Sequence, residues 1–123
     1  MDHSARNVRR RWRHYTTPGG RQPTLVFLDA LPRQDHERVV NAMRMVSDNG
    51  LHVARHLRGD LHEVRVTGAR PYRVLFAVEG HHSQILLALH AFAKRSQKTP
   101  QQHLRLAEQR LFDWRRRSSV KYL

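Results

Sequence analysis

The stretch Ile85-Leu86-Leu87-Ala88-Leu89 contains no polar residue, and it sits in a run from Ser83 to Phe92 that is apolar on both alternating faces. A segment of this length with that pattern is a strand buried from both sides, the most buried in the chain. Two strands lead into it. His62-Glu63-Val64-Arg65-Val66 alternates as a half-buried strand does, and Tyr72-Arg73-Val74-Leu75-Phe76-Ala77-Val78 follows. Gly68-Ala69-Arg70 and Glu79-Gly80-His81-His82 supply the turns. The three strands are expected to form an antiparallel meander.

Helical periods flank this centre. After Pro23, Leu25, Leu28 and Leu31 recur at a spacing of three, which predicts a helical turn or two up to Pro32. A longer helix is expected over 33–49, with Val39, Met43 and Val46 as its apolar stripe and Asn49-Gly50 as its stop. Thr99-Pro100-Gln101-Gln102 reads as a capping box with proline at the first helical position. It opens a last helix whose buried stripe is Leu104, Ala107, Leu111 and Trp114. Arg9 to Tyr15 suits a first strand anchored by Trp12, with a turn at Pro18-Gly19-Gly20, and residues 1–7 read as a flexible tail. No repeat or linker divides the 123 residues, so a single domain of the α+β class is expected over 1–123.

Composition narrows the chemistry. There are 23 basic residues (20 Arg, 3 Lys) against 10 acidic ones, a net charge of +13. Such a chain attracts polyanions: nucleic acid, an acidic lipid surface or an acidic protein. Arginine grips phosphate bidentately and stacks on bases, which lysine does not. With no cysteine there is no disulfide scaffold, thiolate metal site or cysteine nucleophile. The longest apolar run is far too short to span a membrane, and the Arg-rich start lacks a signal-peptide apolar core. A cytoplasmic protein is expected.

The register of the first hairpin is the informative detail. For Val64 and Val66 to share a core with Tyr72, Val74 and Phe76, Val66 must face Tyr72 across a three-residue turn, and Arg65 must then face Arg73. Like charges directly opposite cost stability. Both arginines point to the other sheet face. The third strand returns to the same edge and runs into Lys94-Arg95-Ser96-Gln97-Lys98, so Arg65, Arg73, Lys94, Arg95 and Lys98 converge, with His90 on the strand leading there. A solvated face paired to Glu63 or Asp60 is the plain alternative. Departures from good patterning nevertheless tend to mark function.

Such a cluster binds a phosphate backbone, and on RNA it can do more. Cleavage by the 2′-OH needs in-line positioning, charge stabilisation on the phosphorane and proton transfer. Arg65, Arg73 and Arg95 suit the developing charge. Lys94, Lys98 or His90 suit proton transfer, and Arg70, Arg95 and Gln97 suit RNA binding. The scheme requires no metal ion and no cofactor. The remaining histidines, His103 among them, show no metal-ligand spacing.

The run from Leu57 to Trp114 resembles the RelE/ParE superfamily of bacterial toxins, and most closely its HigB-like, phage-related branch. The residues that carry the likeness are Leu61-His62-Glu63-Val64-Arg65-Val66, Pro71-Tyr72-Arg73-Val74-Leu75-Phe76, and Leu86 to Phe92 continuing into Lys94-Arg95-Ser96-Gln97-Lys98-Thr99-Pro100. The resemblance implies a small curved antiparallel β-sheet with two N-terminal helices packed on it and a C-terminal helix. It implies a toxin of a type II toxin–antitoxin system, a ribosome-dependent endoribonuclease that cuts mRNA in the ribosomal A site. Its partners would be the ribosome with its mRNA, and a cognate DNA-binding antitoxin with an acidic toxin-facing surface. By position, the family's strand arginine matches Arg73, its late basic residue matches Lys94 or Arg95, and Arg65 matches a cation of the preceding strand. Glu63 stands where a further cation belongs, and the family's C-terminal tyrosine has no counterpart; Tyr122 lies beyond the helix. Two other classes stay open: a ParE-like inhibitor of DNA gyrase, against which the Lys94–Lys98 run argues, and a non-catalytic basic nucleic-acid-binding module.

Overall fold

The apolar strand lies inside a five-stranded sheet in the order β1-β5-β4-β3-β2. In this computed structural model, which describes residues 9–95 and 98–121, the strands are β1 (Arg11–His14), β2 (Arg55–Arg58), β3 (Leu61–Val66), β4 (Tyr72–Glu79) and β5 (Ile85–Ala93). The helices are α1 (Pro23–Asp29), α2 (Arg33–Asn49) and α3 (Gln101–Lys121). This is an α+β fold with a C-terminal helix. The expected tail at 1–7, Gln97 and Tyr122 lie outside the described residues.

Strands β3, β4 and β5 make the expected antiparallel meander, with Val66 opposite Tyr72 and Arg65 opposite Arg73. The connection between β3 and β4 runs from 67 to 71, longer than the three-residue turn expected, without altering that register. Gly68 there has φ +133°, and an added Cβ would come within 2.6 Å of Arg38 Nη1. The glycine thus lets the Arg38 guanidinium sit under the turn, where it donates to the carbonyls of Thr67 and Arg70.

Two expectations about the sheet need correction. It is mixed rather than antiparallel throughout, because β1 pairs parallel with β5, Trp12 beside Leu86. The α1–α2 crossover and the meander separate these two strands in sequence, which is how a parallel neighbour is reached. The strand β2, four residues at the opposite edge, was also not expected; its partly exposed Arg-His-Leu-Arg sequence lacks an apolar alternation.

The sheet is packed on both faces. On one side Leu28, Val39, Met43 and Val46 of α1 and α2 close over Val64, Val66, Tyr72, Val74, Phe76, Leu86 and Ala88. Trp12 spans the edge of this core: its indole donates to the Met43 carbonyl at 2.8 Å, and its ring meets Phe76 edge-on at 5.0 Å. On the other side Leu104, Ala107 and Leu111 of α3 cover Leu61, Leu75, Ala77, Leu87 and Leu89. Each fully buried valine or leucine among them contributes roughly 1.5–3 kcal/mol by leaving water, and each alanine less. Charge fixes the direction of α3: Arg58 pairs with Glu108 at 2.7 Å, and Arg115 holds Glu79 at 2.8 Å and Asp60 at 2.9 Å.

Candidate functional site

The face that carries Arg65 and Arg73 is the face under α3, so it is not an open polar surface. Arg73 is only 5% exposed and Glu63 only 1%, whereas Arg65 reaches the surface. The like-charge pair is reconciled by Glu63. Its Oε1 accepts from Arg65 Nε at 3.1 Å and lies 3.3 Å from Arg73 Nε, while its Oε2 accepts from the Thr99 hydroxyl at 2.7 Å. Arg73 also donates from Nη1 to its neighbour's carbonyl, that of Tyr72. The carboxylate expected at most to neutralise a solvated face is therefore a buried hub that ties β3, β4 and the start of α3 together.

This hub also corrects the expected capping box. The Thr99 hydroxyl is directed at Glu63, and the helix begins at Gln101 with Pro100 accepting from the amides of His103 and Leu104.

Lys94 continues the β4–β5 ladder, its amide donating to the Pro71 carbonyl at 2.9 Å, which sets it at the same strand end as Arg65 and Arg73. Arg95 and Lys98 are exposed in the connection that Thr99 pins back to the sheet. Arg65 and Lys94 therefore lie at the strand end that holds the buried Arg73, and Arg95 and Lys98 lie in the connection that leaves it. Arg70 does not join them. It lies at the α2 end of the β3–β4 turn, its guanidinium 3.7 Å from Asp35. Asp35 also accepts from the Tyr72 hydroxyl at 2.6 Å and from Arg38, and these donors, Tyr72 foremost, hold its carboxyl below the usual range.

His90 faces α3, and its partner is one that spacing did not reveal. His90 Nε2 lies 2.7 Å from His103 Nδ1 on the first turn of α3. The His103 ring stacks on Phe92 with centroids 3.8 Å apart and planes within 4°. Burial, then His103 and Arg110, push the His90 pKa down to about 4, and burial lowers that of His103. Both rings are thus neutral at pH 7. The two histidines are 13 residues apart on different elements, so no local pattern could have paired them. Among the described residues no three His, Asp or Glu side chains converge to hold a metal ion.

What the site offers is a rim of cations with a pair of neutral imidazoles beside it. It can bind phosphate and stabilise added negative charge, and its neutral imidazoles can accept a proton. No helix among the described residues is long and apolar enough to cross a membrane.

No curated protein matches the chain. The family model described as Phage derived protein Gp49-like (DUF891) matches residues 26–112, from α1 through most of α3 and the whole of this site. The chain belongs to the Gp49-like family of phage-derived proteins, a family associated with RelE-like toxins of toxin–antitoxin systems.

Proposed function

We propose that this protein is the toxin of a type II toxin–antitoxin pair, a ribosome-dependent endoribonuclease that cuts translated mRNA in the cytoplasm. The observation that carries this reading is that Arg65 and Lys94 share the strand end of Arg73, that the exposed Arg95 and Lys98 follow in the connection leaving it, and that the same sheet face bears the His90–His103 pair. The family supports it independently. The resemblance to HigB-like toxins supplies the ribosome and the mRNA.

In the proposed reaction the RNA 2′-oxygen attacks the adjacent phosphorus. The 2′-O–P bond forms, the P–O5′ bond breaks, and a cyclic phosphate remains on the upstream fragment. The proton leaves the 2′-OH and a proton reaches the departing 5′-oxygen. Arg65 and Lys94 stabilise the extra charge on the phosphorane. Fixed cations of this kind act most strongly where the developing charge is shielded from water, as in a ribosomal cleft. Arg73 acts by holding Glu63, and through it Arg65 and Thr99, in place. The cognate antitoxin presents acidic groups to the cationic surface, together with apolar contact, since charge raises on-rate more than tightness.

Induced expression beside an Arg65→Ala/Lys94→Ala copy, with mapping of cellular mRNA 5′ ends, tests the reading. Growth arrest with new cuts inside translated frames, lost in the double variant, is expected. Arrest without cuts would favour gyrase inhibition, and no arrest in either strain a non-catalytic binding module.

A further inference from the structure

We propose that His103, oriented by its hydrogen bond to His90, is the residue that moves protons in the RNA cleavage, with His90 as its positioning partner; this rests on the ribonuclease reading above. Three observations point there. The first is a β-bulge. Opposite Leu75 stands His90, but opposite the next residue, Phe76, stands Ala88, so Leu89 is an extra residue in β5. Simple alternation from Leu87 would turn His90 toward the α1–α2 core. The bulge re-aims it onto the face of Phe92 and α3, where it meets His103. Bulges serve to redirect a side chain in this way, often next to a site.

The second observation is the bond itself. A 2.7 Å contact between His90 Nε2 and His103 Nδ1 requires one proton between them. If His103 donates from Nδ1, its Nε2 carries a lone pair and is a base. If His90 donates from Nε2, the His103 proton sits on Nε2 and the ring is an acid. Passing from the first form to the second moves the shared proton to His90, takes a proton from His90 Nδ1 and places one on His103 Nε2. In the first form Nε2 takes the proton of the 2′-OH. The same nitrogen returns a proton to the 5′-oxygen as the P–O5′ bond breaks, and the pair ends as it began.

The third is placement. His103 is half-buried on the first turn of α3, next to the Thr99–Glu63 tie, and lies flat on Phe92, the cross-strand neighbour of Arg73. The charged group that acts on His90 is Arg110 from α3, whose guanidinium donates to the Leu89 carbonyl, while Glu63 on β3 and Arg73 on β4 share the sheet face with the pair. Burial first, and for His90 also His103 and the Arg110 charge, favour the neutral imidazoles, which can accept a proton.

The test uses the purified full chain, ribosomes programmed with a defined mRNA, and single-turnover cleavage rates from pH 4.5 to 8. The variant is His103→Asn, whose amide replaces Nδ1 as partner of His90 but has nothing in place of Nε2; His103→Gln serves as the second variant, and thermal melts check that both fold. For the wild type the rate is expected to hold to below pH 6.5 and then to fall. Both variants should lose about a hundredfold or more at pH 7, with that acid limb. Nitrogen-15 NMR of the imidazoles should show His90 and His103 neutral at pH 7, sharing one proton. Folded variants that cleave within threefold of wild type with the same limb would overturn the assignment and leave the ribonuclease reading standing. Independent titration of both rings near pH 6.5 would also overturn it. A wild-type protein that cuts no mRNA at any pH would remove the ribonuclease reading and this assignment together.

Discussion

Replacing Glu63 by Gln should destabilise the protein far more than a surface charge change does. The substitution keeps the shape and one acceptor oxygen, so the Thr99 hydroxyl retains a partner. It removes the negative charge, and the consequences differ for the two arginines. The Arg65 side chain is 42% exposed and turns to water, a loss of at most about 1 kcal/mol. The Arg73 side chain is 6% exposed and is left with the Tyr72 carbonyl at 3.3 Å as its hydrogen-bond acceptor. Breaking a buried pair by removing one partner costs about 3–5 kcal/mol, because the remaining charge is stranded. A domain of this size has a stability of roughly 5–15 kcal/mol, so Glu63→Gln should fold but melt some 10–20 °C lower. Urea denaturation measures the loss directly, with an unchanged slope if the transition stays two-state. The double variant Glu63→Gln/Arg73→Met removes the stranded charge and should recover most of the loss. A loss below about 1 kcal/mol for Glu63→Gln, or a double variant no more stable than the single one, would refute the hub. The same burial makes Arg73→Ala a change to the fold as well as to the site. Deleting Arg73 opens a gap under α3 and removes a counter-charge from buried Glu63, so it should cost stability on the order of 2–4 kcal/mol.

Arg65→Ala should change the urea midpoint by less than about 1 kcal/mol of stability while lowering mRNA cleavage by about a hundredfold or more; unchanged cleavage by the folded variant would remove Arg65 from the site. Acid should weaken the fold through its buried histidines. Unfolded histidines take up protons near pH 6.5, whereas His90 waits until about 4, with His14, His62 and His103 also lowered by burial. The unfolded chain therefore binds more protons as pH falls below 6.5, and stability that is complete above that pH drains away toward 4. His90 supplies at most about 3 kcal/mol of this, and about half once partial solvent access is counted; urea midpoints that stay flat from pH 7 to 4.5 would contradict it. RNA binding should weaken with salt, with a log–log slope of about −2 to −3 for three or four single-strand phosphate contacts. Anisotropy of a labelled RNA measures this, and affinity unchanged between low and moderate salt would exclude a phosphate-gripping rim.

Local pattern carried the centre of the fold. The alternation of Val64 and Val66 against Tyr72, Val74 and Phe76 admits one register that buries both sets, and that register is observed. The buried positions Leu104, Ala107 and Leu111 were likewise legible from helical period. What stayed hidden depends on contacts between distant segments. The four residues of β1 could pair with either edge of the meander, and nothing within Arg11–His14 specifies a parallel partner. A bulge at Leu89 leaves no trace in an unbroken apolar run, so the direction of His90 was not legible either. The face across which α3 packs decides whether Arg73 is exposed or buried, and an amphipathic helix does not say which sheet face it will cover. Glu63 looked out of place because its partners come from three segments: Arg65 beside it, Arg73 on the next strand, and Thr99 before α3.

The placing of the carboxylates goes a long way toward explaining why Arg65 can change partners. A chain with more than twice as many basic as acidic residues repels itself, and several of its few acids hold elements together. Glu108, Glu79 and Asp60 fasten α3 to the sheet, Asp35 fastens α2 to Arg70 of the β3–β4 turn and to Tyr72 of β4, and Asp113 binds Tyr15 and Arg117. At the strand end the acid is Glu63, and it lies beneath the surface rather than on it. An arriving phosphate can compete for Arg65, which is half in water and gives up little by changing partners. It cannot draw out Arg73 without opening the seam under α3. The two arginines that face each other across the hairpin are therefore unequal. In the proposed function Arg65 exchanges its partner for an RNA phosphate, and Arg73 keeps Glu63 in the position from which that exchange can be reversed.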